Sequence, residues 1–123
     1  MISVDSSGWI ERFTQGPKAG AYNRVIDAEV PGEILTSVVV VYEVYKKVKR
    51  MKGELAALEA VTALGQTRLI PVDQELALEA ADYSLSMGLH FADALVYATA
   101  RRYDAPLYTS DRELAGSEGV KAI

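Results

Sequence analysis

The chain contains no cysteine, which excludes disulfides, thiolate metal sites and cysteine nucleophiles together. No apolar run approaches the roughly 20 residues of a membrane span. The opening Met1-Ile2-Ser3-Val4-Asp5 has neither the basic start nor the long apolar core of a signal peptide. A cytoplasmic protein without membrane association is therefore expected. Positive charge is also scarce: 13 Lys and Arg against 17 Asp and Glu give a formal net charge of -4. That balance argues against a whole-surface positive field for nucleic acid and leaves room only for a local basic footprint. What is present is a half-hydrophobic, 24% charged chain of 123 residues, a globular composition sized for one domain spanning residues 1–123.

Turn signals divide the chain into alternating strands and helices. Ile2 to Val4 reads as a buried strand, and Asp5-Ser6-Ser7-Gly8 as a turn capping a helix that carries Trp9, Ile10 and Phe13 until Gly16-Pro17. Lys18 to Glu29 is predicted helical and closed by Pro31-Gly32, with a strand from Ile34 to Thr36 after it. Ser37 caps a long helix to Met51, Gly53 breaks it, and Glu54 to Leu64 completes a helical hairpin over residues 38–64. The run Val38-Val39-Val40-Val41 also suits a buried strand, but no turn signal interrupts Tyr42 to Arg50, so the helical reading is preferred.

The second half repeats the alternation. Arg68 to Val72 is predicted as a strand, and Asp73 caps a helix to Met87 with Leu76, Ala77, Ala80, Ala81 and Leu85 on its apolar side. A helix from Ala92 to Tyr103, a strand from Pro106 to Thr109, a helical turn from Arg112 to Leu114 and an edge strand from Val120 to Ile123 follow. Such alternation implies right-handed crossovers and a three-layer α/β/α sandwich around a mostly parallel sheet of four or five strands.

Four carboxylates stand out against this frame. Open parallel sheets place their sites beyond the carboxyl ends of the strands, where the strand order reverses. Asp5 follows the first strand and Asp111 follows Leu107-Tyr108-Thr109 after one residue, while Glu43 and Asp93 lie near the starts of helices. Each alone has an ordinary explanation as a helix cap, a first-turn acid or a solvated side chain. As a set aimed at one sheet edge they repel one another unless a cation neutralises them. Oxygen ligands with no histidine or cysteine among them select Mg²⁺ or Mn²⁺ over zinc. Such a cation activates water and neutralises charge on a phosphodiester, which points to a nuclease with Asp5, Glu43, Asp93 and Asp111 as metal ligands. Ser6 and Thr109 are adjacent hydroxyls able to fix the ligand geometry.

The strings Phe91-Ala92-Asp93-Ala94-Leu95-Val96-Tyr97-Ala98-Thr99-Ala100 and Leu107-Tyr108-Thr109-Ser110-Asp111 resemble the carboxyl half of a PIN domain, particularly the VapC toxin ribonucleases. Val4-Asp5-Ser6-Ser7 is similar to that family's first acidic motif, and Glu43 within Val40-Val41-Tyr42-Glu43-Val44 to the glutamate of its third helix. The resemblance spans essentially the whole chain. It implies an acidic pocket of Asp5, Glu43, Asp93 and Asp111 that binds Mg²⁺ or Mn²⁺, with Thr109 as supporting hydroxyl. It also implies a homodimer, RNA as substrate, and a neighbouring VapB-like antitoxin as inhibitor. Two departures are Leu114, where the family commonly has phenylalanine, and the absence of an obvious further acid just beyond Asp111.

Other residues fill in the expectation. Lys46, Lys47, Lys49 and Arg50 form the densest basic cluster; Lys46 and Lys47 lie three and four residues from Glu43 and, with Arg112 beside Asp111, are the candidates for substrate phosphate. Arg101 and Arg102 are expected to face solvent, Trp9 and Phe13 to anchor core or interface, and Tyr42 and Tyr45 to join a dimer or antitoxin surface. His90 is read as structural or solvent-facing before it is read as a base. Competing functions are a PIN nuclease of RNA processing or DNA cleavage, and a silent PIN scaffold binding RNA or protein. A haloacid dehalogenase phosphatase is excluded because Ser7 stands where its second aspartate is needed.

Overall fold

Ile2, Ser3 and Val4 are all buried, the mark of a strand covered on both faces rather than one. This strand, β1 (Ile2–Val4), is central in a five-stranded sheet with β2 (Ile34–Ser37), β3 (Arg68–Ile70), β4 (Leu107–Thr109) and β5 (Val120–Ala122). The computed structural model describes residues 1–123. Strand order is β3-β2-β1-β4-β5, and every neighbouring pair is parallel. Ser3 lies opposite both Leu35 and Leu107.

Six helices make the crossovers: α1 (Ser6–Thr14), α2 (Ala19–Asp27), α3 (Val38–Lys52), α4 (Glu54–Leu64), α5 (Gln74–Met87) and α6 (Phe91–Arg102). The chain steps outward from β1 to β2 to β3, then returns across β1 to β4. Right-handed crossovers therefore set α1 to α4 on one face and α5 and α6 on the other. The packing agrees, with α1 against α2 and α3, α3 against α4, and α5 against α6. The result is the expected three-layer α/β/α sandwich.

The valine run is helical. Ser37 accepts the Val39 N–H, and Val40, Val44 and Val48 recur every four residues on the buried side of α3. Burial of that stripe outweighs the small helix propensity deficit of β-branched residues. Gly53, at φ 94°, then separates α3 from α4. Trp9 is buried in the core and stacks on Phe13 with ring centroids 5.8 Å apart.

Several expectations need correction. Residues 112–114 form turns rather than a helical turn, and β3 ends at Ile70, two residues before Val72. On α5 only Leu76 and Ala80 are buried; Ala77, Ala81 and Leu85 are exposed, Leu85 by 86%. The α6 helix covers a narrower strip than the apolar stripe of α5 offers. Arg101 and Arg102 do not point freely to solvent. Arg102 bonds Glu79 at 3.1 Å and Asp73 at 3.4 Å, and Arg101 meets Glu118 at 3.1 Å. These three partners lie 17 to 29 residues away in sequence, so their pairing is a product of the α5–α6 and α6–β5 packing, whereas the further contact of Arg101 with Asp104 at 3.8 Å is local.

Candidate metal centre

The strand order reverses between β1 and β4, and the crevice beyond the carboxyl ends of these parallel strands is where such sheets bind ligands. Asp5 is the first residue after β1, and Ser110 and Asp111 follow β4 directly. Asp5 is 7% exposed and held from three sides. The Ser7 hydroxyl donates to its Oδ1 at 2.6 Å, and the Gly8 N–H donates to the same oxygen at 3.2 Å in the capping turn of α1. The Thr109 hydroxyl donates to Oδ2. Thr109 Oγ1 also accepts the Asp111 N–H at 2.9 Å, so one buried hydroxyl ties the end of β1 to the loop that carries Asp111. The Glu113 N–H in turn donates to Asp111 Oδ1 at 2.9 Å.

Carboxylates from four elements face this crevice. Oxygens of Asp93, Asp111 and Glu113 lie within 4.8 Å of one another. Asp93 stands in the first turn of α6 and Glu43 in the second turn of α3, and these helices touch. Burial pushes the Asp93 carboxyl up to about 6 from 3.8, with further increase from the charges of Asp111, Glu43 and Asp5 and a small opposing effect of His90. Burial also raises Glu43; the neighbouring Ser6 hydroxyl opposes this and the charge of Asp5 adds to it. None of these five acids forms an ion pair, whereas Asp27, Glu54, Asp73, Glu79 and Glu118 elsewhere all do. Concentrated negative charge without a side-chain cation, built only from hard oxygen donors, fits a divalent ion such as Mg²⁺ or Mn²⁺.

Two details differ from the sequence reading. Glu113 is the further acid that was expected to be missing beyond Asp111; the spacing Asp111-Arg112-Glu113 in an exposed turn brings the second carboxylate back onto the first. Alternation of acid, base and acid was its visible signal. Secondly, Ser6 bonds the candidate ligand Glu43, in keeping with its expected supporting part, while the hydroxyl that bonds Asp5 is that of Ser7, which the sequence does not single out. Lys46 and Lys47 are exposed on α3 and line an open groove with Glu43 and Ser6, while Arg112 is exposed and in no ion pair.

The raised Asp93 value has a measurable consequence. A carboxyl whose pKa is higher in the folded chain than in the unfolded one contributes stability that is complete below its ordinary value of 3.8 and is lost as pH rises through about 6. The metal-free protein should therefore melt at a higher temperature at pH 5 than at pH 7.5, and Glu43 acts in the same direction. With millimolar Mn²⁺ present the trend should reverse, because the ion and the proton compete for the same oxygens. Thermal melts across that pH range, with and without Mn²⁺, check both signs; a metal-free Tm that falls on acidification through this window sinks the assignment of shared charge.

A family model described as PIN domain matches residues 2–116. No curated protein matches the chain in sequence. Among solved structures, a toxin-antitoxin complex from Klebsiella pneumoniae is similar with a TM-score of 0.83 at 23% identity, over 98% of this chain and 96% of the other. VapC20 of Mycobacterium tuberculosis, described as a Sarcin-Ricin loop cleaving toxin, is similar with a TM-score of 0.79 at 22% identity, over 94% and 95%. VapBC2 of Rickettsia felis, bound to a DNA fragment from its promoter, is similar with a TM-score of 0.78 at 14% identity, over 100% and 99%. At these identities the likeness is one of fold.

Proposed function

The chain belongs to the PIN domain family, and from that premise we propose that it is a Mg²⁺- or Mn²⁺-dependent endoribonuclease, the toxin of a toxin-antitoxin pair. The observation that carries this reading is the convergence of uncompensated carboxylates at the strand-order reversal. The fold neighbours support the toxin role, since they include a toxin-antitoxin complex and a toxin described as Sarcin-Ricin loop cleaving.

In this reading Asp5, Glu43, Asp93 and Asp111 hold the divalent ion, and Glu113 enlarges the ligand set on the Asp111 side. The bound cation supplies activation of water and neutralisation of charge on the phosphate under attack. Thr109 and Ser7 hold the Asp5 carboxylate in one orientation, leaving little freedom to lose when the ion binds. The Ser6 hydroxyl opposes the rise that burial imposes on the Glu43 carboxyl. Lys46, Lys47 and Arg112 contact phosphates on either side of the cleaved bond, which positions RNA without reading its sequence.

The partners in this reading are RNA, a VapB-like antitoxin that blocks the pocket, and a second copy of the chain. The exposed apolar strip of Leu85 and Phe91, 86% and 80% exposed, supports association through α5 and α6. Purified protein free of antitoxin should cleave tRNA or ribosomal RNA with Mg²⁺ or Mn²⁺ and stop when EDTA is added. Absence of cleavage of either RNA with either metal would overturn the enzyme. Growth arrest on expression, relieved by the protein encoded beside it, tests the toxin role separately.

A further inference from the structure

Lys and Arg are a minority in this chain, yet Lys46, Lys47, Lys49, Arg50 and Lys52 supply 5 of the 13 within one short stretch of α3. They are not equivalent. Lys49 is engaged within the protein, donating to the Tyr45 hydroxyl at 3.2 Å and facing Glu54 at 3.7 Å. Lys46, Lys47 and Arg50 form no ion pair. They line a groove of about 280 Å³ between α3 and Ile10 of α1, and that groove opens onto Glu43 and Ser6 of the metal centre. An acidic centre on an acidic protein repels a polyanion, so a cationic approach joined to it has an electrostatic purpose.

Tyr42 occupies the same groove one residue before Glu43 and is 65% exposed, although tyrosine of a helix this close to a core is readily buried. No hydrogen bond ties down its hydroxyl, and the Lys46 ammonium stands 5.6 Å from its ring centroid. Tyr42, Lys46 and Arg50 follow at four-residue spacing, hence one above another on one face of α3 at steps of about 6 Å along the axis. An aromatic face followed by cations at that repeat matches the alternation of base and backbone in an extended strand.

We propose that this groove is the entry path of a single-stranded RNA segment, with Tyr42 as the platform on which an unpaired base next to the cleaved bond stacks and Lys46, Lys47 and Arg50 following its phosphates. The proposal rests on the nuclease reading above and narrows its substrate class. A base inside a duplex is already stacked on its neighbours and has no face free for Tyr42. Discrimination by this groove is therefore between unpaired and paired RNA.

Binding in EDTA, where no divalent ion is available, isolates the groove from cleavage. A short fluorescein-labelled adenylate strand, alone or annealed to its complement, is titrated with wild type, Tyr42→Ala, Tyr42→Trp and the Lys46→Ala/Arg50→Ala double variant, and followed by anisotropy. Tyr42→Ala should weaken binding of the single strand roughly five- to a hundredfold, the worth of one stacked base, with duplex binding unchanged and Tyr42→Trp retaining affinity. The double variant should lower the slope of log affinity against log salt by about 0.7 for each phosphate left without its cation. Equal single-strand affinity of wild type and Tyr42→Ala, or an equal loss on duplex, overturns the platform. So does a loss seen only against the antitoxin, which reassigns the groove to a protein. Tyr42-dependent binding by a wild type that never cleaves RNA with Mg²⁺ or Mn²⁺ upholds the groove and removes the nuclease; cleavage unaffected by Tyr42→Ala does the reverse.

Discussion

Asp93→Asn is expected to abolish metal-dependent RNA cleavage while making the metal-free protein more stable. Both effects have one cause. Asp93 is the acid on which the charges of Asp111, Glu43 and Asp5 all act, and its carboxyl is held up at about 6 by burial together with that repulsion. A neutral amide of the same shape removes the repulsion and keeps the packing of the first turn of α6. The gain is on the order of 1 kcal/mol near pH 7: each tenfold change in proton affinity is worth about 1.36 kcal/mol, but solvent screens a carboxyl that is only partly buried and the amide forgoes the attraction between an acid and the helix dipole. The loss of function is larger. Electrostatic stabilisation through a divalent ion is worth several kcal/mol, and at about 1.36 kcal/mol per tenfold its removal costs about a thousandfold in rate. Chemical denaturation and a cleavage assay on the same preparation separate the two effects. A variant that loses activity because it unfolds would show the opposite stability change, and one that keeps Mn²⁺-induced stabilisation would show that Asp93 is no ligand.

The same opposition of charge and fold explains how much of the site was legible beforehand. Asp5 and Asp111 were readable because a strand end is marked by local sequence, and a parallel sheet directs strand ends to one edge. Glu43 depended on the valine run being helical, and this was decided by the recurrence of Val40, Val44 and Val48 against the sheet rather than by the residues' own preference. Glu113 escaped because a single Asp-Arg-Glu alternation in an exposed turn is common surface sequence, and its approach to Asp93 is set by how the turn after β4 lies against the start of α6. The ion pairs of Arg101 and Arg102 were hidden for a related reason: their partners are set by how α6 lies against α5 and β5. The uncovered strip of α5 marks the opposite limit, since periodicity shows which side of a helix is apolar but not how wide a neighbour covers it.

Gly8→Ala should be the most damaging single methyl group in the chain, and a second glycine provides its control. A Cβ on Gly8 would lie 2.4 Å from Tyr22 Cε1 and 2.6 Å from Val4 Cγ1, inside any tolerable approach. Neither neighbour can yield cheaply. Val4 is fully buried in β1, and Tyr22 is fully buried in α2 with its hydroxyl 2.6 Å from Ser110 Oγ. Overpacking of such a site costs about 3 kcal/mol, which lowers Tm by roughly 10 °C in a domain of this size. Displacing the Tyr22 ring also pulls on Ser110, the residue before Asp111, so Mn²⁺ affinity should fall along with stability. Gly20, by contrast, is a helical glycine of α2 with nothing within 4 Å of its missing Cβ. Gly20→Ala should be neutral or stabilising by up to about 1 kcal/mol, the ordinary helix preference of alanine over glycine. Thermal melts of the two variants, each repeated with Mn²⁺, make the comparison. Equal behaviour of the two would mean that α1 is free to move away from α2, and that the glycine after Asp5 serves the capping turn without holding the metal centre to the fold.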